Sequence, residues 1–155
     1  IHERLVGSEM CIRDSQREVA KETVLIQSAL FGLIPALNLI PNYRLSGTTN
    51  LPGLSLKEVW SAAHEPIWRR LENGPIIDLR SKAYAELAPI PAEVPHFWVE
   101  VLDANSGKAL NHFNKKGKGL FVRAALDNPG ASVEKIAKAA GLRASVRDGE
   151  ITLYV

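Results

Sequence analysis

His96-Phe-Trp-Val-Glu-Val-Leu-Asp-Ala-Asn-Ser-Gly-Lys-Ala-Leu-Asn-His-Phe-Asn-Lys-Lys-Gly-Lys-Gly-Leu-Phe-Val-Arg123 changes its period partway along. Over its first seven residues Phe97, Val99 and Val101 alternate with Trp98, Glu100 and Leu102, the two-residue repeat of a strand. Asn105-Ser106-Gly107 supplies a turn, and the spacing predicts a hairpin that returns through Leu110 before a basic block. Drawn as a helix at about 100° per residue, that block is expected to carry Lys115, Lys116, Lys118 and Arg123 on one side. Gly117, Leu120, Phe121, Ala124 and Ala125 are expected on the other. A second reading starts the helix near Gly119, which leaves Lys115 and Lys116 on a loop and turns free amides toward an anion. Both remain open. A chain that passes from strand to helix in this way is mixed α/β.

Working outward, Val24–Phe31 is an apolar run ended by Gly32, compatible with a strand or a short helix. Pro35, Pro41 and Pro52, with Gly47 and Gly53, predict irregular backbone over residues 32–54, which presents Tyr43, Arg44 and Leu45. Ser55 is placed to cap a helix with Leu56, Val59, Trp60, Ala63, Ile67 and Leu71 on one face. Pro66 is expected to kink or divide that helix, leaving His64 as a surface or structural residue near the break. Pro75–Arg80 reads as a short strand whose end delivers Asp78, Arg80, Ser81 and Lys82. Binding groups often sit at that end of a strand in open α/β sheets, although an Asp78 pair with Arg80 or Arg44 explains the residues equally well. A short helix from Tyr84 to Leu87 follows. Trp98 reads as a core aromatic ahead of a base-stacking one. Ser132 caps a further helix that Gly141 ends, and Asp148-Gly149 is the preferred pair for a type I′ hairpin turn before Ile151, Leu153 and Val155.

Of the 155 residues, 46% are hydrophobic and 23% charged, as expected of a chain that buries one core. Residues 1–15 carry two cations against three acids, so a formal net charge of +2 leaves the remainder at +3. Its placement says more, because no acidic residue lies between Asp103 and Asp127. The one cysteine, Cys11, excludes a disulfide framework and a Cys-based zinc site, and a reducing cytoplasmic setting is expected. The longest apolar candidate for a membrane span, Ala29–Ile40, is broken by Gly32, Pro35 and Asn38. No membrane partner is expected.

Three blocks resemble the YaaA-type peroxide-stress protein family in the order and spacing of that family. The first is Ser28-Ala-Leu-Phe-Gly32 with Pro35, Pro41 and Tyr43-Arg44-Leu45. The second is Ile77-Asp78-Leu79-Arg80-Ser81-Lys82-Ala83-Tyr84. The third is His112-Phe113-Asn114-Lys115-Lys116-Gly117-Lys118-Gly119. The resemblance covers residues 23–155 and implies one YaaA-like α/β domain, truncated at its N-terminus, with short strands and hairpins interleaved with helices. Residues 1–15 resemble translated adapter read-through and are set aside as a non-native leader, leaving 16–155 as the C-terminal portion of the domain. The missing N-terminal part is then an expected partner that completes the sheet and covers Val24–Phe31.

The resemblance further implies a role in defence against peroxide, linked to limiting iron-driven damage, and binding of duplex or branched DNA through a basic cleft. Carried over by position, the phosphate-binding candidates are Tyr43, Arg44, Arg80, Ser81, Lys82, Asn114, Lys115, Lys116, Lys118 and Arg123. Arg44 and the lysines would hold phosphate, with Tyr43 and Asn114 orienting them. Three departures bear on the cleft's charge: Ser46-Gly47-Thr48 stands where Glu-Met-Gly is common, Asn38 where Asp is common, and Asp78 where Asn is common. The competing reading is an enzyme acting on a nucleotide or phosphorylated metabolite, with His112 as general base beside Asp78 and Tyr43, and Arg44 and Lys118 as anion clamps. No phosphate-loop, nucleophile-elbow or His-Glu-x-x-His motif supports it. No cofactor is expected, and the scattered His64, His96 and His112 predict no metal site.

Overall fold

The computed structural model describes residues 14–71 and 74–155. They form α1 (Asp14–Thr23), β1 (Leu25–Ser28), β2 (Gly32–Pro35), α2 (Leu56–Arg70), β3 (Ile76–Asp78) and α3 (Lys82–Leu87). These are followed by β4 (His96–Leu102), α4 (Asn111–Asp127), α5 (Val133–Ala139), β5 (Arg143–Arg147) and β6 (Glu150–Tyr154). Five helices and two sheets make the described chain mixed α/β, as expected. Residues 1–13 of the expected leader lie outside the described residues, and Asp14 and Ser15 open α1. The chain divides into two compact units, one running to Pro66 and including Lys82–Pro89, the other comprising Ile67–Ser81 and Ile90–Val155.

In the first unit the apolar run resolves as a strand. Leu25–Ser28 pairs antiparallel with Gly32–Pro35, so the irregular segment expected from residue 32 begins four residues later. Pro35 is tolerated because each strand of a two-stranded sheet has an open edge, where a missing donor breaks no ladder bond. Ser28 Oγ closes the turn by accepting from the amides of Leu30 (3.2 Å) and Phe31 (3.0 Å). Gly32 then takes φ of 73°, a conformation that side chains resist. Ser55 caps α2 as expected, its Oγ accepting from Glu58 N at 3.2 Å. The helix is not divided at Pro66 but runs on to Arg70. His64 is a structural residue, and it is not on the surface. At 2% exposed, it stacks on Trp60, its Nε2 accepts the Leu33 amide at 3.0 Å, and Gln27 lies 3.5 Å from Nδ1.

The second unit holds a four-stranded sheet in the order β3-β4-β6-β5. β3, β4 and β6 run parallel, and β5 closes antiparallel on β6. The hairpin expected after β4 does not form. Asp103 accepts the amides of Asn105 and Ser106 and closes a tight turn, and a single bridge, Leu102↔Ala109, precedes α4. Too few residues remain there for a strand, so the neighbours of β4 come from distant sequence. The last hairpin forms as predicted: Asp148 and Gly149 both have positive φ, 47° and 80°, as a type I′ turn requires. Ser132 caps α5 through Lys135 N, and Gly141 at φ 76° ends it.

Alternation makes this sheet two-faced. Val99, Val101, Ile151 and Leu153 form the core with Phe121 and Ala124 of α4 and Ile136 and Ala137 of α5, while Ile77, Phe97 and Ala144 flank it. The opposite face therefore carries Asp78, Trp98, Glu100, Leu102, Thr152, Tyr154, Arg143 and Arg147. Of these only Asp78 is buried.

Candidate functional site

The chemistry of the second unit gathers where β3 stops. Asp78 ends that strand, 6% exposed, and both its oxygens are taken by Arg80: Oδ1 accepts from Nε at 2.8 Å and Oδ2 from Nη2 at 2.7 Å. The Arg80 amide adds a third bond to Oδ1 at 3.1 Å. A two-residue separation lets a strand-end carboxylate hold the next turn and its guanidinium together, and the fork geometry makes the pair bidentate. The guanidinium carbon also lies 5.1 Å from the ring centroid of Trp68. Arg80 thus serves Asp78 and an indole face, the structural alternative weighed for this pair.

Lys118 completes the cluster from α4. That helix begins at Asn111, so the reading in which free amides near Gly119 point at an anion is excluded. Gly117 is buried instead because the helix approaches β4 there; a Cβ at this position would meet Val101 Cγ1 at 3.2 Å and Val155 Cγ1 at 3.3 Å. One residue on, the Lys118 stem carries its ammonium past the end of β3, where Nζ donates to the Arg80 carbonyl at 3.1 Å and lies 5.2 Å from the Trp98 ring centroid. Burial pushes the Lys118 ammonium below the ordinary lysine value, against the opposing pull of Asp78 and Glu100.

The four cations of α4 lie within one arc of about 160°, as expected, but they differ in burial. Taking Lys115 as zero, about 100° per residue puts Arg123 near 80°, Lys116 near 100° and Lys118 near 300°, next to buried Phe121 near 240°. Lys115, Lys116 and Arg123 are exposed, whereas Lys118 is half-buried. His112, near 60° on the same projection, is exposed beside them. Asn114 lies half-buried on the Lys118 side of the helix, and its Oδ1 is enclosed without a hydrogen-bond partner among the described residues.

The remaining candidates divide between the units. In the first, Tyr43 Oη bonds Ser28 Oγ at 2.6 Å, and the Tyr43 ring meets Phe31 edge-on at 5.5 Å, so this phenol braces the β1–β2 turn. Arg44 and Lys82 are exposed. In the second, Ser81 is exposed after Arg80. For the enzymatic alternative, both Asp78 oxygens are engaged by Arg80, and His112 is exposed on α4. Sequence reasoning missed Trp68 as a partner of Arg80, and Arg143 and Tyr154, whose guanidinium and ring lie 5.6 Å apart. The alternation of β4 carried part of the signal, since it sets Trp98 opposite Val99 and Val101. No helix of the described residues is long and apolar enough to cross a membrane.

Comparison with known proteins identifies relatives of this sequence. A family model described as peroxide stress protein YaaA matches residues 10–144. A UPF0246 protein of Corynebacterium efficiens is 34% identical over 92% of this chain and 63% of its own length. A UPF0246 protein of Corynebacterium glutamicum is 40% identical over 81% of this chain and 55% of its own. One of Streptomyces coelicolor is 38% identical over 69% of this chain and 43% of its own. The chain spans 43–63% of the length of these curated relatives.

Proposed function

The chain belongs to the peroxide stress protein YaaA family, and from that premise we propose that it serves the peroxide-stress response in the cytoplasm by binding the phosphate backbone of DNA, duplex or branched, thereby limiting iron-driven damage there. The observation that carries this reading is the grouping of Lys115, Lys116 and Arg123, all exposed, within about a quarter-turn of α4. Before Asp127 the helix has no acidic residue to oppose a phosphate. Contacts of this kind release counterions and give affinity without reading sequence. Arg44 and Lys82 are exposed cations of the first unit suited to the same chemistry. Arg80 and Lys118 act differently, as a buttress: their charged groups hold the end of β3 and the near side of α4 in place. Tyr43 and Asn114 keep orienting roles, and Ser81 adds a hydroxyl beside Arg80. The part of the family's length not spanned by this chain is proposed to complete the domain over the apolar hairpin residues Leu25, Ile26, Leu30 and Phe31, which stand 37–48% exposed.

The test is binding of the full-length protein to duplex and branched DNA across a salt series, beside a Lys115→Ala/Lys116→Ala variant. Weakening with salt, with a log–log slope shallower by about two in the variant, is expected. Absence of binding at low salt overturns the reading.

A further inference from the structure

The face of the four-stranded sheet opposite α4 and α5 has no role in the phosphate contacts above, and its composition is unusual for a surface. Trp98 on β4 and Tyr154 on β6 both stand on it, each with a cation against its ring, Lys118 at 5.2 Å and Arg143 at 5.6 Å. The register places Trp98 beside Glu150 and Leu102 beside Tyr154. The two aromatics are therefore separated by about 13 Å along the strands and about 5 Å across them. Arg143 and Arg147 line the exposed edge strand β5, one at each end, on the same face. Charge is thus sorted across the sheet, with guanidinium groups along one edge and the carboxylates Glu100 and Glu150 on the central strands.

We propose that this sheet face binds single-stranded nucleic acid, with unpaired bases stacking on Tyr154 and Trp98 and the backbone following Arg143 and Arg147 along β5. Each feature has a physical counterpart in such a ligand. Every base presents a π-face to an aromatic ring, and a guanidinium plane lying on that ring extends the stack. The cations sit at the edge, where a backbone would run. Glu100 and Glu150 stand on the same face as Trp98, and a carboxylate accepts hydrogen bonds from an exocyclic amino group of cytosine or adenine while repelling phosphate. A duplex keeps its base faces stacked internally, so it offers the rings of Tyr154 and Trp98 no stacking partner. The site is separate from the exposed lysines of α4, which would contact duplex and single strand alike.

The experiment compares a short single-stranded oligonucleotide without self-complementarity with the duplex made from it, both titrated into the full-length protein at one salt concentration. Tyr154→Ala is expected to weaken single-strand binding about 5- to 100-fold and to leave duplex binding unchanged, whereas Tyr154→Phe retains both. Arg143 is exposed, so Arg143→Ala tests the surface without removing core packing and is expected to weaken single-strand binding selectively. Lys115→Ala/Lys116→Ala is expected to weaken both ligands, which separates failure of the α4 reading from failure of this one. Single-strand binding that survives both Tyr154→Ala and Arg143→Ala in folded protein, or no single-strand binding at low salt, overturns the proposal.

Discussion

Lys118 reaches from α4 to the main-chain oxygen of Arg80, 38 residues earlier, at 3.1 Å. The bond ties the helix to the turn that follows β3, beside a guanidinium already held by Asp78. A cation that looks in sequence like one more phosphate ligand is here a tie between a helix and a strand end.

Burial holds the Lys118 ammonium below the ordinary value of 10.5. The native state then sheds this proton at a lower pH than the unfolded chain does. Between the lowered value and 10.5 the unfolded state binds more protons, so stability rises with pH across that window and the charge costs most below it. Urea denaturation of the protein and of Lys118→Met from neutral pH to 10.5 checks this. The variant is expected to lack the Lys118 share of the alkaline rise.

Arg80→Ala strands a buried carboxylate and is expected to cost about 3 kcal/mol. Asp78→Asn in the same background relieves the uncompensated charge and recovers part of that loss. A double-mutant cycle by urea denaturation measures the coupling, and additive losses would contradict the bidentate pair.

Two glycines are expected to answer alanine with opposite signs. At Gly32, φ is 73° and a Cβ would stand 2.7 Å from Trp60 Cζ3 and 2.8 Å from His64 Nε2, so Gly32→Ala is expected to lower stability by about 2 kcal/mol or more. Gly119 lies within α4 with open space around the Cβ position, so Gly119→Ala is expected to raise stability by about 0.5–1 kcal/mol. Thermal unfolding followed by circular dichroism distinguishes the two.

His64→Phe keeps a ring against Trp60 but leaves the Leu33 amide without its acceptor, at an expected cost of about 1–3 kcal/mol. Amide hydrogen exchange provides the local readout. Leu33 is expected to exchange faster in the variant, whereas unchanged protection would mean that the amide finds another partner.

Much of the local structure was readable in the residues. Asp148-Gly149 set its hairpin turn because a type I′ turn needs positive φ at two neighbouring positions. Ser55 and Ser132 capped their helices because a side-chain oxygen satisfies an amide three residues on. The candidate site was less readable. Lys115, Lys116 and Arg123 are exposed as expected, but Lys118, at the edge of the same arc beside buried Phe121, is half-buried. His64 read as either surface or structural because nothing near it in sequence shows that Trp60, Gln27 and Leu33 surround it.

The residues alone determined the strand character of His96–Leu102, the caps and the final turn, since side-chain period and backbone sterics act over only a few residues, whereas the start of the basic helix at Asn111 was settled by the structure. Tertiary structure decided that β4 lies between β3 and β6 without a returning partner of its own, and that Asp78, Arg80, Lys118 and Trp98 meet at one strand end. Strand partners and the desolvation of a charge depend on groups brought together from distant positions, which no local pattern encodes.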